Sequence, residues 1–205
     1  MARYKNGVNG PFSGKVGNVV GAVRRGTPYM RGLPEQNGKA ASQAQLDQRA
    51  LFAMVVCWLK PLRLLIEVGY QHYIGSKTPM NGCVSHHLKE AVIGEAPDFS
   101  IDYAKAVFSR GELMISLVRE VTVEAGGLRI KWDNAAVSVL NNDDDLATFV
   151  VYHSVERRFM VFKDVAERSE KAVLLEMPDG LEGVHCWMQY RNRSGDLVST
   201  TVFVL

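Results

Sequence analysis

Leu128-Arg-Ile-Lys-Trp-Asp133 and Val184-His-Cys-Trp-Met-Gln-Tyr-Arg-Asn192 decide the fold of this chain. Each run concentrates aliphatic, β-branched and aromatic residues over the length of one strand. Similar runs surround them: FSIDYAKAVF (99–108), ELMISLVREVTVEA (112–125), ATFVVYHS (147–154), RFMVFKD (158–164), KAVLLEM (171–177) and LVSTTVFVL (197–205). The turn signals SRG, AGG, NNDDD, VERR, MPDG and RSGD separate them. About eight short strands at roughly 10–12-residue spacing predict an antiparallel β-sandwich over residues 97–205. Trp132 falls on an early strand, and Trp187 and Tyr190 on a late one. These rings are expected to fill the space between the sheets or to line one outer face.

Upstream, the period changes from two to that of a helix. Ser42 with Gln45 forms a Ser-x-x-Gln capping box, and Leu46, Ala50, Ala53, Met54, Cys57, Trp58, Leu62 and Leu65 recur on one helical face. Pro61 lacks an N–H and should kink or split this helix near Lys60. A second helix is expected from an Asn81 cap to Ile93, ended by Gly94. Residues 42–96 thus read as a helical segment.

Residues 1–41 carry Gly7, Gly10, Gly14, Gly17, Gly21, Gly26, Gly32 and Gly38 with Pro11, Pro28 and Pro34. Glycine this dense disfavours a helix. Yet Phe12, Val16, Val19, Val20, Val23, Tyr29, Met30 and Leu33 are more apolar anchors than a solvated linker has. Short strands such as Val16–Arg24 and Pro28–Gly32, joined by glycine turns, are expected. The predicted class is therefore α+β, mainly β: a glycine-rich β-arm and a kinked helix, followed by an antiparallel immunoglobulin-like sandwich.

Two resemblances attach to these motifs. The apolar-x-apolar-x-Trp run at Leu128–Trp132, and Val184–Asn192 followed by a hairpin, resemble fibronectin type III and related immunoglobulin-like domains. The string Phe12–Gly21 (FSGKVGNVVG), with the Gln-x-x-Gln-Arg start of the helix, resembles a domain-of-unknown-function family abundant in Bacteroidota genomes. A similar arm and helix start also resemble short phage structural proteins. The family resemblance implies no catalytic residues.

The chain has 205 residues, 47% of them hydrophobic and 22% charged, as in an ordinary globular protein. Its formal charge of +2 is unevenly spread. Residues 1–41 hold seven basic residues against Glu35, giving +6, while the other 17 basic and 21 acidic residues leave the remainder at −4. A basic segment of this kind seeks a negative surface: nucleic acid, a membrane, or another copy of the chain. Cys57, Cys83 and Cys186 are an odd, scattered set and read as free thiols. No apolar signal region opens the chain and no apolar run is long enough to span a bilayer, so a cytoplasmic protein, or one incorporated in a particle, is expected.

Candidate chemistry is sparse. Gly10-Pro-Phe-Ser-Gly14-Lys15 has three residues between its glycines and Val16 after the lysine, so it fails the phosphate-loop pattern. Cys83, His86 and His87, with His72, include an acceptable Cys-x-x-His zinc pair but lack the other half of a structural site. Asn142-Asp-Asp-Asp145 lacks calcium-loop spacing and reads as a solvated hairpin loop. No nucleophile–base signature is visible. The sequence therefore predicts no enzyme, no cofactor and no metal. It points instead to a structural or assembly subunit, a homo-oligomer or a partner of other structural proteins, whose arm adds strands to a neighbour. Phe12, Lys15, Val16, Val19, Val20, Val23, Arg24, Arg25, Tyr29 and Arg31 are the expected contacts. The same basic arm allows nucleic-acid binding, and an exposed Trp187 would allow a carbohydrate- or ligand-binding sandwich.

Overall fold

The computed structural model describes residues 3–7, 10–24, 26–34, 38, 40–72, 77–124, 126–177 and 182–205. They fall into two compact units, Met1–Ser42 and Gln43–Leu205. The class is α+β and mainly β, with antiparallel sheets.

The first unit is a meander of β1 (Arg3–Tyr4), β2 (Phe12–Val16), β3 (Val19–Arg24) and β4 (Thr27–Gly32), paired in that order. Gly17, at φ +56°, supplies the left-handed residue of the two-residue turn that pairs Val16 with Val19. Gly21 is buried against Phe12: a methyl group there would come within 2.2 Å of the Phe12 carbonyl oxygen. This glycine is required by close approach, not by φ.

In the second unit α1 (Gln43–Leu59) passes through one 3₁₀ turn at Lys60–Leu62 into α2 (Arg63–Gly69). The break lies where Pro61 removes a donor, as its ring chemistry demands. α3 runs over Pro79–Glu90. Its cap is Thr78, whose Oγ1 accepts from the Asn81 amide at 3.2 Å, and not Asn81 itself. Pro79 explains the difference, because proline fits the first helical position without losing a bond. After α3, β5 (Val92–Ile93) pairs with β6 (Ser100–Ile101), so the helix stops short of Ile93.

Among the described residues the sandwich has seven strands: β7 (Leu117–Glu124), β8 (Gly127–Asp133), β9 (Leu146–His153), β10 (Arg158–Glu167), β11 (Ala172–Glu176), β12 (Val184–Arg191) and β13 (Val202–Phe203). Three form the sheet β11-β8-β7 and four the sheet β10-β9-β12-β13. The chain crosses from one sheet to the other after β8, returns at β11, and crosses again to β12, the connectivity of an immunoglobulin-like sandwich. Between the sheets, Leu128, Ile130 and Trp132 of β8 meet Phe149, Val151, Cys186, Met188 and Tyr190. Trp132 stands 6.0 Å from Phe149 and donates its indole N–H to the Arg168 carbonyl at 3.1 Å.

The FSIDYAKAVF run departs from the strand expected of it. After Ile101 it makes a 3₁₀ turn at Tyr103–Lys105, opened by Asp102 accepting from the Ala104 amide. Ala106 and Phe108 then enter a second hydrophobic cluster. That cluster lies on the outer face of the four-stranded sheet, where Val150, Tyr152 and Trp187 pack against Val55, Leu59, Leu62, Ile66 and Val84 of the helices. The sheet is thus covered on both faces, and Trp187 is fully buried, with its indole donating to the Tyr103 carbonyl at 2.9 Å.

The NNDDD loop is also not simply solvated. Asp145 is fully buried and pairs with buried Arg168, Nε–Oδ2 3.1 Å and Nη2–Oδ2 3.0 Å. Arg168 further donates to Ser116 Oγ and the Met114 carbonyl, and its guanidinium lies 3.7 Å over the Tyr190 ring. Removing one partner of such a pair strands the other charge. Asp145→Ala is expected to destabilise the fold by about 3–5 kcal/mol in urea denaturation, with much of the loss recovered when Arg168→Met is added.

Candidate functional site

The pairing register of the first unit sorts its side chains onto two faces. Opposed residues of an antiparallel pair share a face and successive residues alternate. The rows Val16–Val19–Gly32, Gly14–Gly21–Met30 and Val23–Pro28 therefore lie on one side. The rows Lys15–Val20–Arg31, Ala22–Tyr29 and Arg24–Thr27 lie on the other. Phe12 joins the first set, because its ring lies against the Cβ side of Gly21. The sheet thus has an apolar face of Phe12, Val16, Val19, Val23 and Met30, and a basic face of Lys15, Arg24 and Arg31 around Tyr29. Arg25 lies outside the described residues.

The apolar face is open. Val16, Val19, Val23 and Met30 are 42%, 38%, 59% and 69% exposed. Only Val20 among the expected valine anchors sits on the basic side. The backbone differs from a free arm, because β3 is paired on both sides within its own sheet and only the outer edges of β1 and β4 are left within it. The sequence showed the residues but not this division, since it depends on the turn at 17–18 and on the register in which β3 pairs with β4.

In the second unit, α3 brings Cys83 and His87 together, Sγ–Nδ1 3.6 Å, with both buried. Their hydrogen bonds are not those of a nucleophile and its base. His87 Nδ1 lies 2.9 Å from the Cys83 carbonyl, so this nitrogen carries the proton. The Cys83 thiol donates to the Val107 carbonyl instead. Burial pushes the Cys83 thiol up to about 12, with a smaller opposing effect from Tyr70, and pulls the His87 imidazole down to about 4. Both groups are neutral at pH 7. His72 bonds instead to the Asp196 carbonyl, and His86 to the Lys105 carbonyl at 3.3 Å. Among the described residues no three His, Cys, Asp or Glu side chains form a group able to hold a metal ion. Nor is any helix of the described residues long and apolar enough to cross a membrane.

The fold and these surfaces define an α+β protein with a helix-covered β-sandwich and a two-faced N-terminal sheet. The model of DUF6266, a family of unknown function, matches residues 11–204, and the chain belongs to that family. The match takes in the glycine-rich strands, the helices and the sandwich together. No curated protein and no solved structure matches the chain.

Two outcomes follow. Gly21→Ala forces a methyl into the Phe12 carbonyl, so limited proteolysis is expected to clip within residues 1–42 sooner while Gln43–Leu205 resists as before. His87 binds its proton in the native state only near pH 4, against an ordinary 6.5. The unfolded chain therefore takes up the proton first, and stability is lost as pH falls from 6.5 towards 4. The loss is about 3 kcal/mol over that window by chemical denaturation, and His87→Phe is expected to remove that slope.

Proposed function

We propose that this chain is a non-enzymatic structural or assembly subunit whose N-terminal sheet docks, face on, against the body of a second copy. The observation that carries this reading is the open apolar face of Val16, Val19, Val23 and Met30 on a sheet whose other side is basic. Contiguous apolar side chains rimmed by charge are the usual signature of an interaction surface. Charge favours another copy as the occupant. Residues 1–41 carry +6 and the remainder −4, so arm and body attract between copies. Lys15, Arg24 and Arg31 guide the approach, and the valines and Met30 supply the buried contact. Repeated head to tail, such a contact builds a ring, a filament or a phage-like shell.

The basic face favours a second reading, nucleic-acid binding, in which Lys15, Arg24 and Arg31 meet phosphates and Tyr29 stacks on a base. A carbohydrate-binding sandwich has less support, because Trp187 is buried.

Light scattering on the whole chain separates the first two readings. Val19→Asp combined with Val23→Asp is expected to convert an oligomer to a folded monomer. A wild-type mass retained by that variant overturns the assembly reading. Arg24→Glu with Arg31→Glu tests the other, which requires an oligonucleotide mobility shift that weakens steeply with salt and is lost in the variant.

A further inference from the structure

The concavity between α3 and residues 105–110 is unlike the rest of its unit. Outside residues 1–41 the chain is acidic overall, at −4. Yet four cations, Lys77, Lys89, Lys105 and Arg110, converge there on one depression of about 570 Å³ whose lining includes a single carboxylate, Glu90. Its lining also includes Gly82 and Ser85 of α3. Four like charges around one depression repel one another, and the protein does little to neutralise them. Lys105 reaches Asp102 at 3.4 Å in a solvent-exposed pair. Lys89 and Arg110 have no ion-pair partner among the described residues.

Apart from the Glu90 carboxylate, the depression offers mainly donors. The Ser85 hydroxyl oxygen accepts from Lys77 Nζ at 3.0 Å, so its own proton is free for another acceptor. His86 Nε2 gives its proton to the Lys105 carbonyl, which fixes that loop against the helix. Beside Glu90 stand a guanidinium with its planar fork, three ammonium groups and one hydroxyl proton. That donor set suits a multivalent oxyanion: Arg110 binds two oxygens at once, while the lysines act as point charges.

We infer that this α3 concavity is a binding site for phosphate esters, with Lys77, Lys89, Lys105 and Arg110 as the cationic ring and Ser85 as a hydroxyl donor. The inference rests on the second unit alone and is independent of what the N-terminal sheet docks on. The same chemistry is offered by a free phosphorylated metabolite and by a nucleic-acid backbone.

Calorimetric titration of the full chain with inorganic pyrophosphate, at low salt of about 50 mM, is expected to give saturable one-to-one binding. Lys77→Glu with Arg110→Glu should weaken it at least about tenfold, and Arg110→Gln should weaken it less. Arg63→Glu with Arg119→Glu, at exposed side chains outside the depression, should leave it unchanged. Circular dichroism confirms that each variant is folded. A single-stranded oligonucleotide that displaces pyrophosphate assigns the ester to a nucleic-acid backbone; one that binds without displacing it assigns a small phosphoester. Absence of saturable heat in the wild-type chain, or equal affinity in the Lys77/Arg110 variant, overturns the site.

Discussion

The sheet β10-β9-β12-β13 is apolar on both faces, and most of the architecture follows from covering it twice. In β9 every residue from Ala147 to His153 is buried. A two-layer sandwich protects only the side carrying Phe149 and Val151 and would leave Val150, Tyr152 and Trp187 in water. Fully burying large apolar side chains of this kind contributes about 1.5–3 kcal/mol each, so the second face needs a cover of its own. The helices provide it. Trp58 of α1 sits within 5.2–6.4 Å of Phe159, Phe108, His87, Tyr152, Tyr103 and Trp187, measured between ring centroids. The break at Pro61 and the turn at Tyr103–Lys105 let short elements follow a twisted sheet that one straight helix could not track.

Among the described residues, a buried ion pair is used inside this frame at one point. Arg168 binds Asp145, Ser116, the Met114 carbonyl and the Tyr190 face together, and its own carbonyl accepts from Trp132. One residue, through its side chain and its carbonyl, therefore joins both sheets and the segment leading into β7. A buried ion pair adds little net stability over an apolar replacement, but it tolerates very few alternative arrangements of its partners. Here it ties the 142–145 loop to the 168–170 turn.

Much of this was legible in the sequence. The turn dipeptides and β-rich runs located the strands, and Pro61 located the helix break, because these signals act within a few residues of themselves. The double burial of β9 and β12 left only an indirect trace: ATFVVYHS and VHCWMQY lack the strict alternation of a half-solvated strand, and a run of that kind reads as an ordinary strand until a second layer is supplied. Asp145 looked solvated because its partner Arg168 lies more than twenty residues away and only tertiary pairing brings them together. The same limit hid the α3 concavity, whose cations come from three separate stretches of chain.

The self-paired N-terminal sheet changes what docking by this segment requires. A free strand gains affinity mainly through main-chain hydrogen bonds, but β2 and β3 already have partners on both sides, and the outer strand β4 carries Pro28 and Arg31, which guard an edge against pairing. Contact must then be made by the face. Three strands of about six residues present a face of only about 300 Å² at ordinary strand spacings. A stable interface takes about 800 Å² from each partner. One docked sheet therefore gives a weak contact, and a durable assembly built on it requires every copy to donate its own sheet and receive another. In the proposed assembly the basic face would add long-range attraction, which raises the encounter rate of a contact whose buried area alone is too small to hold it.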